Sequence, residues 1–293
     1  MSLFVKQLTH IDASLWCPKR GLVGCSWQVD AVLDGELGED GMLFDFGEVK
    51  PWIKRTLDSG LDHTLLVPTQ AQGVNVTECP EGLCITTTTP YPMEVRGPHE
   101  AFSLLPWHAI TLDTVAEHLS QQLTEQRPTN VHQVTLTLSD EAIEGAAYGY
   151  SHGLKQHTGN CQRIAHGHRS RLYIWQNNER QLRLEQQWAA WLDNRYLLEE
   201  ADIAAHDSDT LSCRYQAAQG EFAITLPRSL CAVLPGPTTV ENIAAWLAKE
   251  IATQSGIDTR IQAFEGVNKG AIAMFSPSAM PSTVPSTVPS AMP

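Results

Sequence analysis

Four of the chain's eleven histidines fall in the 17 residues from His152 to His168. His166-Gly167-His168 opens a strand-like run, so the imidazoles at i and i+2 project from one face, with Gly167 leaving room between them. His152, on the strand before, supplies a third ring. Three histidines leave a fourth position open for water or substrate, the arrangement of catalytic rather than structural zinc. Alone, HGH is better read as a solvated polar turn; His152 upstream and Cys161 just ahead turn the balance to a metal. His157 is close enough in the chain to stand in for His152.

Cys161, among Asn160, Gln162 and Arg163, is a thiol beside a cation and imidazoles, available as base or nucleophile. Its other reading is a small buried hydrophobe, which suits Cys213 and Cys231. Asp62-His63 sets a carboxylate beside an imidazole, a proton-relay pair or an exposed charged loop. Glu265, at the end of the strand-like Arg260–Phe264 run, either accepts two parallel hydrogen bonds from a planar guanidine-like heterocycle or is a surface glutamate. Thr238 and Glu241 have capping-box spacing at the start of a helix, which explains PTTVEN without a ligand.

These residues sit on elements that occur twice. Leu112, Val115, Ala116, Leu119 and Leu123 form one helical stripe, and Val240, Ile243, Ala244, Leu247 and Ile251 repeat it. Alternating strand-like runs follow both, at Val134–Leu138 and Arg260–Phe264, then GAAYG (145–149) and GAIAM (270–274). LDHTLL (61–66) matches LDNRYLL (192–198), and GLVGCSWQVDAVL (21–33) parallels IAHGHRSRLYIW (164–175). The order predicts two homologous units, residues 1–147 and 148–275, each of two strands, two helices and two strands. Ser26–Leu33 reads as a strand, Phe46–Leu57 as a helix, and residues 77–92 as a hairpin. Residues 276–293, rich in Pro and Ser, read as a disordered tail.

The net charge of −13 argues against nucleic acid or an anionic membrane as partner. No apolar run is long enough to span a bilayer, and no secretory signal is visible. Seven cysteines without a C-x-x-C pair point to reduced thiols and a cytoplasmic location.

As a set, His152, Cys161, HGH (166–168), GMLFDFGEVK (41–50), LDH (61–63), PTTVEN (237–242) and Glu265 resemble the 6-pyruvoyl-tetrahydropterin synthase and 6-carboxytetrahydropterin synthase family. The resemblance implies an α+β fold of two tandem T-fold (tunnelling-fold) units, each an antiparallel four-stranded sheet with two helices. It implies a Zn2+-dependent lyase acting on 7,8-dihydroneopterin triphosphate. Such a lyase makes 6-carboxy-5,6,7,8-tetrahydropterin with release of acetaldehyde and triphosphate, a step in queuosine and deazapurine biosynthesis. The pyruvoyl-forming elimination, a side-chain-cleaving aldolase, and a non-catalytic zinc-binding protein that binds pterin or serves assembly are the alternatives. The roles it carries over are zinc on His152, His166 and His168, catalysis by Cys161 with Asp62 and His63, and substrate binding by Glu265. Lys155, Arg163, Arg169 and Arg171 are candidates for the triphosphate. Family members usually carry six units, so a tandem chain implies a homo-oligomer of three.

The two copies depart from the pattern in opposite ways. Val23 and Cys25 stand where unit one would carry its HGH histidines, and Asn194 replaces the histidine of the Asp-His pair in unit two. Asp140 answers to Glu265. Complementary loss predicts one composite site, with the metal and thiol from unit two and the Asp-His pair from unit one, in the same chain or a neighbour.

Overall fold

The computed structural model describes residues 1–277; the tail assigned to 276–293 lies almost wholly outside the described residues. The first unit runs β1 (Ser2–Cys17), β2 (Gly21–Gly35), α1 (Phe46–Asp58), β3 (Leu65–Pro68), β4 (Val74–Cys79) and β5 (Gly82–Thr87). It continues with β6 (Met93–Gly97), β7 (Phe102–Leu105), α2 (Leu112–Glu125) and β8 (Val131–Asp140). The second has β9 (Ala147–His152), β10 (His166–Gln176), β11 (Glu179–Arg180), α3 (Leu182–Leu192), β12 (Arg195–Glu199) and β13 (Ile203–His206). It ends with β14 (Thr210–Ala217), β15 (Gly220–Pro227), β16 (Cys231–Leu234), α4 (Val240–Ser255), β17 (Thr259–Phe264) and β18 (Gly270–Phe275).

Both helical stripes face their sheets, burying Val115, Leu119 and Leu123 of α2 and Ile243, Leu247 and Ile251 of α4. Caps fix where these helices begin. Thr111 and Thr114 form a reciprocal box on α2, and on α4 the cap is Thr239, whose side chain accepts from Asn242 N–H. The capping reading of Thr238 was therefore one residue early; Thr238 is buried and turned to another task.

The predicted pair of strands between helices underestimates the sheets. Unit two has the four antiparallel strands, in order β9-β10-β17-β18, extended by β12 and β16 running parallel beside β9. Unit one has only three long antiparallel strands, β1-β2-β8, extended by parallel β3 and β7. GAAYG does not close the first unit as its fourth strand: residues from Ala147 form β9 and pair with β10. The run has the composition of a closing strand but is claimed by the histidine strand, with His152 opposite His166.

The hairpins inserted between the helices form a third sheet, β13-β14-β15-β6-β5-β4, in which Ala223 of unit two pairs with Arg96 of unit one. A shared core lies beneath it, including Trp16 and Leu22 from the first unit and Tyr196 and Phe222 from the second. The units also meet where β2 crosses β9 and β10. A Cβ on Gly24 would lie 1.9 Å from the Tyr150 carbonyl oxygen, and one on Gly167 would lie 2.7 Å from Gly24 Cα. Ser14 Oγ donates to Ser151 Oγ across this seam at 2.7 Å. Only glycine permits such an approach.

Candidate active site

Strand pairing alone assembles the imidazoles. His152 and His166 are cross-strand partners on β9 and β10, and His168 follows two residues on, so all three project from one face. Their candidate ligand atoms lie within 4.8 Å of one another, and all three residues are buried. His157 lies apart: its Nδ1 accepts from Gly159 N–H in an exposed turn.

Hydrogen bonding orients the rings. His152 Nδ1 is 3.0 Å from the Thr238 carbonyl oxygen, and His166 Nδ1 is 3.0 Å from that of Arg163. A carbonyl only accepts, so each Nδ1 carries its proton and each Nε2 keeps a lone pair. Both Nε2 atoms are buried without a partner. Burial foremost, and then the neighbouring imidazoles, hold the pKa of both rings well below the ordinary histidine value. Neutral, oriented and unpartnered imidazoles are what a zinc-type cation requires. The donor set fits such an ion.

Unit one contributes through Asp62-His63, which follows α1 in the same chain. The His63 ring centroid is 5.4 Å from that of His166 and 6.4 Å from that of His168. Its Nδ1 lies 2.5 Å from Asp62 Oδ2, while Asp62 Oδ1 accepts from Asp12 N–H at 2.9 Å. His63 takes a left-handed φ of 55° and donates its own N–H to the Asp12 carbonyl. Burial disfavours its charge, but hydrogen bonds and electrostatic interactions with Asp62 and Cys161 outweigh that and raise its pKa to about 10. Cys161, in a short turn before β10, thus lies beside the relay pair.

Glu265 follows β17, its backbone N–H bonded to the Lys269 carbonyl, and its Oε1 lies 3.9 Å from His168 Nε2. The structure therefore brings the three histidines, Asp62, His63, Cys161 and Glu265 together within one chain. The four cations considered for phosphate have internal partners. Lys155 bridges Glu199 and Asp202, Arg163 reaches Gln219, Arg169 reaches the Glu141 carbonyl, and Arg171 binds Glu141 and Asn268.

Two charged residues escaped the sequence reading. Asp12 on β1 places Oδ1 at 3.4 Å from His168 Nδ1, accepts from Ser26 Oγ, and places Oδ2 at 3.3 Å from Lys269 Nζ. Burial opposes its ionisation, yet His168, Lys269 and Ser26 together hold its carboxyl well below the usual range. Lys269 is half exposed beside the site. The signal for Asp12 was a lone carboxylate in the otherwise uncharged run ASLW that follows it.

A family model described as 6-pyruvoyl tetrahydropterin synthase matches the chain twice, over residues 10–149 and 144–274. A search of curated proteins gives no match. Among solved structures, the 6-pyruvoyl tetrahydropterin synthase of Plasmodium vivax aligns at 19% identity and TM-score 0.41, covering 49% of this chain and 93% of its own. That of Plasmodium falciparum aligns at 16% identity and TM-score 0.40, covering 48% and 91%.

Proposed function

The chain belongs to the 6-pyruvoyl tetrahydropterin synthase family, and on that premise we propose that it is a zinc-dependent lyase acting on 7,8-dihydroneopterin triphosphate. The product we assign is 6-carboxy-5,6,7,8-tetrahydropterin, with acetaldehyde and triphosphate released. The observation that carries this reading is the junction, in one chain, of the unit-two histidine triad with the unit-one Asp62-His63 pair.

His152, His166 and His168 would hold the zinc. When bound, the ion supplies Lewis acidity toward the oxygens of the substrate side chain. Glu265 would accept the paired N–H donors of the pterin edge, fixing the ring so that its side chain lies over the imidazoles. Cys161, as thiolate, would take a proton from the side chain. Asp62 and Cys161 favour the proton on His63, so it would return one. Asp62 positions that ring. Lys269, half exposed and 3.3 Å from Asp12 Oδ2, is our candidate for contact with the anionic tail.

The family description names the pyruvoyl-forming reaction, which is therefore the second reading. Incubating zinc-loaded protein with 7,8-dihydroneopterin triphosphate separates them. Triphosphate with acetaldehyde supports the carboxy-forming lyase; triphosphate without acetaldehyde supports the pyruvoyl-type elimination. Release of neither overturns both.

We divide the chain near residue 147 into a relay-bearing and a metal-bearing unit, and propose three chains per assembly in the cytoplasm. Light scattering should give three times the 32.3 kDa chain mass; a monomer would overturn that assembly.

A further inference from the structure

A cavity of about 430 Å³ lies at the opposite end of the seam between the units. Strand register identifies it. Ser14 faces Gly24 in the β1–β2 pair, and Ser151 faces Gly167 in the β9–β10 pair. Leu15, Val23 and Cys25 therefore occupy the places of His152, His166 and His168. The correspondence extends to the relay pair. Asp193 Oδ1 accepts from Gly149 N–H, and Asn194 donates its N–H to the Gly149 carbonyl, as Asp62 and His63 do with Asp12. Asn194 has a φ of 60°, close to the 55° of His63. Asp140 ends β8 opposite Trp27, the place Glu265 holds after β17.

The chemistry of this second cavity differs in one respect and persists in another. Leu15, Val23 and Trp27 reach it from the buried core beneath a mostly polar lining, and Cys25 donates its thiol proton to the Ala13 carbonyl. No histidine is in its lining, and among the described residues its Cys17, Cys25, Asp140 and Asp193 do not converge as a metal-ligand group. The carboxylate at its edge, Asp140, remains, and two cations, Arg20 and Arg169, join it. Arg169 spends one guanidinium nitrogen on the Glu141 carbonyl, and Arg20 is exposed at the β1–β2 turn.

We propose that this cavity is a second, metal-free binding site for a planar heterocycle, its paired N–H donors on Asp140 and an anionic substituent on Arg20 and Arg169. A carboxylate accepts two parallel N–H bonds from an amidine edge, and guanidinium groups match carboxylate or phosphate in the same manner. Leu15, Val23 and Trp27 supply the apolar contacts to the ring. Without a counterpart of the histidine triad or of the imidazole relay, the site binds without turning over. The choice of a pterin as ligand rests on the catalytic reading above; the site itself rests on the cavity and its residues.

The test is equilibrium dialysis of the zinc-loaded full chain against 6-carboxypterin, a flat, anionic and stable probe. Two molecules should bind per chain. Glu265→Gln should leave one, and the double variant Asp140→Asn with Arg20→Ala should leave the other. Asp140 and Arg20 are both exposed at the ends of their elements, so that double variant keeps its fold. One molecule per chain, lost with Glu265 and untouched by the double variant, overturns the second site and leaves the catalytic reading intact. One molecule lost only in the double variant supports the second site and overturns the pterin role of Glu265. No binding to the intact chain overturns both.

Discussion

His63 and Asn194 share a backbone conformation, with φ of 55° and 60°, and share hydrogen-bond partners of the same kind. The chain thus already carries asparagine in the strained place that His63 occupies. His63→Asn should keep the fold but lower the melting temperature by several degrees, because buried Asp62 loses its charged partner, and lower turnover by about 10²- to 10⁴-fold. A product assay run beside a thermal melt checks both parts, and retained turnover removes His63 from the proton chemistry. Asp12 faces His168 Nδ1 at 3.4 Å, and Glu265 the other ring nitrogen. Asp12→Asn should weaken zinc binding by about 10- to 100-fold, measured by competition with a chromogenic chelator. Unchanged affinity would reduce Asp12 to a packing role. The triad was legible because spacing by two on a strand is a direct geometric instruction. Asp12 and Lys269 were not, because they reach the site from the first strand and a late turn, a distance of chain that no local pattern spans.

The crossing of β2 over β9 and β10 sets the separation of the two halves. Its contact atoms are backbone: the Tyr150 carbonyl would meet a Gly24 side chain at 1.9 Å and cannot rotate away. Gly24→Ala should cost about 2–3 kcal/mol of stability, the upper range for overpacking, in urea unfolding. Gly236→Ala is the control, since its nearest neighbour lies 4.0 Å away. Equal stability of the two variants would show that the crossing is loose. Both amphipathic helices and the long alternating strands were readable, because each carries its own periodicity of burial. Of the third sheet only the β4–β5 hairpin, predicted at residues 77–92, was readable: β6 finds its partner β15 in the other unit, and short strands with mixed burial announce no partner. The cap of α4 slipped by one because two threonines stand together, and Thr238 is withdrawn to hold His152.

At the scale of the molecule, the duplication was visible as recurring landmarks, but the sharing between copies was not. The seam and the common sheet make the units one body, with the triad from the second and the relay pair from the first facing each other inside a single chain. That has a genetic corollary. Were the relay pair donated by a neighbouring chain, co-expressing a His63→Asn chain with a His166→Ala chain would rebuild some intact sites in mixed assemblies. Donation within the chain forbids it: the mixture should stay as inactive as either parent, and mixing wild type with either variant should dilute activity in simple proportion. Recovery of activity on co-expression would overturn donation within the chain. A tandem protein built this way inherits its defects one molecule at a time, and no defective copy can spoil, or be rescued by, a sound one.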